Sequence, residues 1–280
     1  MTTLPSPAEL RTLLDFAIES AWLAGRLTLR YFQAGTAVER KADASPVTAA
    51  DREAEQLLRA RIERYFPHDG ILGEEFGEIR GAAPRRWILD PIDGTASFVR
   101  GVPLYGVLIG LAVGEEAIVG VAHFPGLGEL VEAAHGLGCR WNGRVARVSS
   151  VDRLDAAAVL LTDSARTPGE ILRASASPAA PPDEGAGALP GWPALARRAE
   201  VVRTWGDCYG HALVATGRAE AMVDPRVSPW DVAALQPIVT EAGGVFTDLG
   251  GTRTIYGGSG LSTNAALADA VRSALVGARA

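Results

Sequence analysis

Leu10, Leu14, Ile18, Trp22 and Leu29 recur at intervals of four and seven residues, which places them near one face of a helix running from Ala8 to about Phe32. Such a helix packs its apolar face on a sheet. A second helical pattern covers Ala49 to Tyr65, with Ala54, Leu57, Leu58 and Ile62 inward, a comb of Arg and Glu outward, Thr48 as its cap and Pro67 beyond its end. After the turn PHDG, two short apolar runs read as strands, and each runs into acids. Ile71-Leu72 meets Gly73-Glu74-Glu75, and Trp87-Ile88-Leu89 meets Asp90-Pro91-Ile92-Asp93-Gly94-Thr95.

From Leu104 to Trp141 short apolar runs alternate with Gly, Pro and Glu-Glu turns, the pattern of an antiparallel meander. The longest apolar stretch, Val102 to Gly114, reads as a buried strand within it. The second half predicts a strand near Ala157 to Leu161, a helix from Tyr209 to Gly217, a strand from Ala221 to Asp224 and a helix from Trp230 to Ala242. Their alternation argues for a layered α/β unit. Residues 1–150 and 151–280 are expected to pack as one globular unit, an N-terminal α+β part and a C-terminal α/β part. Ala174 to Gly191, rich in Ala, Pro and Gly, predicts a mobile surface loop.

Composition narrows the function classes. The 280 residues are 48% hydrophobic and 21% charged, enough for a large core. A net charge of −6 without any basic stripe argues against nucleic acid as a partner. Val102 to Gly114 is too short for the roughly 20 residues that cross a bilayer, and the N-terminus has no signal-peptide pattern, so no membrane is expected. Cys139 and Cys208 form neither a disulfide framework nor a metal pair, which suits a cytoplasmic protein.

The acids carry the chemistry. Taken alone, DPID reads as an Asx turn with a capping aspartate, Glu74-Glu75 as a solvated pair, and Asp231 as a residue of a first helical turn. Together Glu74, Asp90, Asp93 and Asp231, with the carbonyl of Ile92, make an oxygen-only donor set of the type that hard divalent cations require. A helix opening at Gly94 would present backbone N–H groups to a phosphate beside them.

GEE at 73–75, DPIDGT at 90–95 and WDVAALQPIVTEAGG at 230–244 resemble, in order and spacing, the metal-binding signatures of the inositol monophosphatase superfamily. Lys41-Ala42-Asp43 with Pro46-Val47-Thr48-Ala49-Ala50-Asp51 is similar to its upstream element. The resemblance implies an α/β (α+β layered) fold, a five-layer αβαβα sandwich, in a homodimer that hydrolyses small phosphate esters with two or three Mg2+ ions. It assigns Glu74, Asp90 and the Ile92 carbonyl to one ion and Asp90, Asp93 and Asp231 to a second. Glu74 and Thr95 would position a metal-activated water, with Asp51 accepting from the Thr95 hydroxyl. Phosphate would rest on the backbone N–H groups of Gly94, Thr95 and Ala96, with Asp93 and Asp231 also among the substrate-binding residues.

Two stretches bear on the leaving group. SFVRGVPLYG at 97–106 and GDCYG at 206–210 resemble the branch of the superfamily that hydrolyses histidinol phosphate, although Ala96 stands where a lysine is usual there. That substrate carries an ammonium and an imidazole, which added carboxylates would recognise. Asp207 and Asp224 are the candidates. Their alternatives are a helix N-cap and a strand-end turn. Arg100 and Arg203 face either substrate or solvent, and His123, His135 and His211 read as surface or structural residues. The alternative activities are an inositol-phosphate or broad phosphomonoesterase, a bisphosphate nucleotidase, and a non-catalytic phosphate- or metal-binding regulator.

Overall fold

A computed structural model describes residues 4–35, 38–40, 46–162 and 191–276. The loop expected at 174–191 lies outside the described residues except for Gly191, as do Lys41, Ala42 and Asp43.

Helix α1 (Pro7–Thr28) starts on a capping box, with the Ser6 hydroxyl accepting from the Glu9 amide and the Glu9 carboxylate accepting from the Ser6 amide. Its buried stripe is Leu10, Leu13, Leu14, Phe16, Ala17, Ala21 and Ala24. The expected face is therefore corrected at its C-terminal end, where Trp22 and Leu29 are 44% and 42% exposed. Small residues take their place because the helix lies close on the sheet, where a Cβ at Gly25 would come within 2.3 Å of the His123 ring.

A short antiparallel pair, β1 (Val38–Arg40) and β2 (Pro46–Thr48), joined through three residue pairs, leads into α2 (Ala49–Tyr65). Helix α2 has the predicted bounds and the predicted cap. Its outward comb is corrected, since Glu55 and Arg59 are buried along with Ala54, Leu58 and Ile62.

Then come β3 (Gly70–Gly73), β4 (Gly77–Ile79), β5 (Arg85–Asp93), the one-turn α3 (Thr95–Val99), β6 (Gly106–Val113), β7 (Glu116–Phe124), β8 (Glu129–Ala134), β9 (Gly138–Trp141) and β10 (Arg144–Val145). They form one sheet in the order β10-β9-β8-β7-β6-β5-β3-β4, antiparallel except where β3 runs parallel to β5. Strand β6 is buried along its whole length, as its unbroken apolar run requires, while Val102 falls outside it and is 40% exposed.

The second half gives β11 (Ala158–Leu161), α4 (Trp192–Arg198), β12 (Val201–Arg203), α5 (Asp207–Ala215), β13 (Ala221–Asp224), α6 (Pro229–Val232), α7 (Leu235–Glu241), β14 (Val245–Thr247), β15 (Gly260–Thr263) and α8 (Ala268–Val276). Their sheet runs β12-β11-β13-β15-β14, with β11 parallel to both neighbours. The single helix expected from Trp230 to Ala242 is two helices. Pro237 has no N–H for the turn before it, and its ring opposes the Ala233 carbonyl, so the chain breaks between Val232 and Leu235.

Period-two alternation sorts the core into layers. Trp87 and Leu89 of β5 pack with Leu14 and Leu58 under α1 and α2, whereas Ile88 between them packs with Leu235 and Ile238 of α7. Leu213 and Val214 of α5 meet Leu160 and Met222 of the second sheet, whose far face packs on Leu195 of α4 and Val271 of α8. The stack is helix, sheet, helix, sheet, helix, the five-layer sandwich that the motifs imply.

Candidate active site

Acids from three layers meet at the C-terminal end of β5. Strand register slips between Asp90 and Asp93, where β5 pairs Leu108 and Gly106 of β6, and this bulge at Pro91 turns both aspartates toward one region. Asp231, the third residue of α6, accepts from the Ser228 amide at 2.6 Å. One oxygen from each of Asp90, Asp93 and Asp231 lies within 4.8 Å of the other two. Glu74 follows β3, and its amide donates to the Leu89 carbonyl at 3.2 Å, so it stands beside Asp90 across the parallel pair. It belongs to the cluster electrostatically and stands outside that closest triangle.

The cluster is strained by its own charge. Asp90, 2% exposed, is held well above the ordinary carboxylate range by burial and then by the charges of Glu74, Asp93, Asp231 and Asp51. Asp93 is raised by burial and by Asp207 and Asp231, against the opposing hydrogen bond from Cys208. Burial pushes Asp231 up to about 7 despite its Ser228 partner. A divalent cation would remove this penalty, and the donors are oxygens of a type that hard cations accept. The group fits. Asp90, Asp93 and Asp231 could hold it, with Glu74 and the Ile92 carbonyl adjoining.

The bond expected between Thr95 and Asp51 is absent. The Thr95 hydroxyl donates to the Ile92 carbonyl at 3.0 Å, while Asp51 Oδ2 accepts from the Thr48 amide and hydroxyl at 2.8 and 2.6 Å. The reason is local, because Asp51 is the third residue of α2 and completes its capping box. Asp51 Oδ1 is buried with no hydrogen-bond partner among the described residues.

Gly94 joins this acidic cluster to Asp207. It adopts φ 82°, and a Cβ there would come 2.9 Å from the Leu104 carbonyl and 3.2 Å from Asp207 Oδ2. The Asp207 carboxylate thus lies against the backbone of DPIDGT. Thr95 and Ala96 follow in the first turn of α3, whose amides lack intrahelical partners. Asp207 does not cap α5: the cap is Gly206, no side-chain cap bond forms, and Asp207 is the first helical residue at φ 53°. Burial and then the charge of Asp224 push its carboxyl up to about 7. Asp224 ends β13, is 8% exposed, and has Oδ2 3.4 Å from His211 Nε2.

Several contributors had no sequence signal. The Cys208 amide donates to Asp93 Oδ2 at 2.6 Å across 115 residues, and the buried His211 lies between Ser262, 2.6 Å from its Nδ1, and Asp224, 3.4 Å from its Nε2. His123 is buried against Ala21, and His135, Arg100 and Arg203 are exposed.

With this geometry in view, comparison with known proteins fixes the class. The inositol monophosphatase family model matches residues 9–278, and the chain belongs to that family. It is a phosphatase. A histidinol-phosphatase of Chlorobaculum parvum is 47% identical over 249 residues, covering 89% of this chain and 90% of that relative. One from Mycobacterium tuberculosis is 38% identical over 268 residues, covering 94% and 97%. Among solved structures, the extragenic suppressor protein suhB of Bartonella henselae superposes with a TM-score of 0.82 at 27% identity, covering 94% of this chain and 98% of that one.

Proposed function

We propose that this chain is a Mg2+-dependent phosphomonoesterase that hydrolyses histidinol phosphate to histidinol and phosphate, a step of histidine biosynthesis. The observation that carries the substrate is the half-buried Asp207 carboxylate, set against the glycine that follows the DPID acids and within electrostatic reach of the buried Asp224. A cationic amino-imidazole group is what two adjoining carboxylates bind best. Histidinol-phosphatases among the most similar relatives support the same reading.

Asp90, Asp93, Asp231, Glu74 and the Ile92 carbonyl would hold two or three Mg2+ ions. Bound Mg2+ neutralises phosphate charge and lowers the pKa of the attacking water. The chain's own part is placement. The first-turn amides of Thr95 and Ala96, with Gly94, bind phosphate oxygens. Asp207 and Asp224 hold the leaving alcohol by its cationic end. Glu74 and the Thr95 hydroxyl orient a water toward phosphorus, and Asp51 Oδ1, without a hydrogen-bond partner among the described residues, would be the acceptor for Thr95 if the Ile92 carbonyl were taken up by a cation. Water oxygen bonds to phosphorus and gives up one proton, the ester P–O bond breaks, and the alcohol oxygen takes up one proton, so that of the water's two hydrogens one ends on phosphate and one on the alcohol.

This reading expects a cytoplasmic homodimer in which residues 1–150 and 151–280 act as one unit. Phosphate release from histidinol phosphate and from inositol 1-phosphate, measured side by side with Mg2+, tests it. Histidinol phosphate is the preferred ester. Preference for the inositol ester would assign the chain to the inositol-phosphate branch.

A further inference from the structure

The turn that carries Glu74 is gripped from beneath by a buried ion pair of α2. Glu55 is fully buried, and its carboxylate accepts from the Glu75 amide at 2.7 Å, the Phe76 amide at 3.2 Å and Arg59 Nε at 2.7 Å. Arg59 also donates from Nη2 to the Gly77 carbonyl. A Cβ at Gly73 would lie 2.1 Å from Glu55 Oε1, so the carboxylate packs directly on that glycine. Gly73, Glu75, Phe76 and Gly77 are thus all fixed by Glu55 and Arg59. Glu74 is the residue they enclose.

A buried ion pair is poor value as pure stabilisation, since apolar residues of equal volume commonly do as well. Its use here is positional. We propose that Glu55 is a positioning residue of the metal centre: with Arg59 it locks the β3–β4 turn so that the Glu74 carboxylate stays beside Asp90. The same helix carries Asp51 one turn earlier, so α2 sets two of the acids around the site. The inference rests on the assignment of Glu74 to the metal centre.

The test is calorimetric titration of the full chain with Mg2+, without substrate, well below the unfolding temperature. Glu55→Gln keeps the size of the side chain but puts an amide against backbone N–H groups. It should weaken the Mg2+ midpoint by roughly 10- to 100-fold, the usual effect of losing a group that orients a ligand. Gly73→Ala, which displaces the Glu55 carboxylate without touching its charge, should weaken it in the same direction and serves if Glu55→Gln does not fold. In both variants kcat should recover at high Mg2+ while KM for the ester stays unchanged. A lowered melting temperature with a wild-type Mg2+ midpoint would overturn the inference and leave Glu55 purely structural. Glu74→Gln is the control, because a wild-type midpoint there would overturn the assignment of Glu74 itself.

Discussion

Asp207 combines partial burial, a left-handed backbone and a carboxylate laid against Gly94, and none of these serves the start of its helix. Non-glycine residues in that backbone region carry a cost that persists where the surroundings impose it. Removing one charge-assisted contact costs on the order of 1.5–3 kcal/mol, so Asp207→Asn should lower kcat/KM for histidinol phosphate by roughly 10- to 150-fold. The assay belongs above pH 7, where the carboxyl, pushed up to about 7, is ionised. Inositol 1-phosphate turnover should change far less; an equal loss on both esters would mean that Asp207 supports the fold. Thr95→Ala should lower kcat more than it raises KM, by roughly 10²–10⁴-fold, because a positioned proton relay contributes that much. An effect on KM alone would make Thr95 a phosphate ligand. The acids of the site were legible from their motifs, whereas the Cys208 amide and the Glu55–Arg59 pair were not. A backbone N–H leaves no mark on composition, and a glutamate four residues before an arginine looks the same whether solvated or buried.

Element boundaries followed the hydrophobic pattern where a face is wide and regular, as in α2 and β13. They departed from it where small residues do the packing. Alanines and a glycine carry the C-terminal half of α1, and a hydrophobicity pattern gives them little weight beside Trp22. The same economy places Asp231. Gly110 and Gly120 face each other across β6 and β7, and a Cβ on Gly120 would reach to 2.0 Å from the Ala234 carbonyl. This bare patch receives the Ala233-Ala234 link between α6 and α7, two and three residues after Asp231. Gly120→Val should therefore destabilise the protein by about 1–3 kcal/mol or more through overpacking and lower the melting temperature accordingly. It should also weaken Mg2+ binding, since the link can retreat only by moving α6. An unchanged melting temperature would show that the patch yields freely.

For the whole molecule, the acidic cluster should make stability depend on pH and on an added divalent cation together. Carboxyls with raised native pKa values hold protons that the unfolded chain releases, so their contribution is fully present below the ordinary value near 4. It is lost as pH rises through the native value, about 7 for Asp231 and Asp207. In EDTA these groups should thus lower the melting temperature between about pH 4 and 8, and Mg2+ should restore it most at the upper end. Melting curves at pH 5 and pH 8, each with EDTA and with Mg2+, check this. A Mg2+ effect no larger at pH 8 would mean that the cation is not relieving these charges.

The hydrogen bond from Cys208 to Asp93 has a consequence in time. Glu74, Asp90 and Asp93 leave the ribosome well over a hundred residues before Cys208 and Asp231. Until those arrive, the first sheet carries like charges at the C-terminal end of β5 without the Cys208 amide that later donates to Asp93. Contacts so distant in sequence close late. On the proposed reading, the site is therefore complete only once the second half of the chain has been made, and a chain halted after the first sheet should bind Mg2+ more weakly than the whole protein.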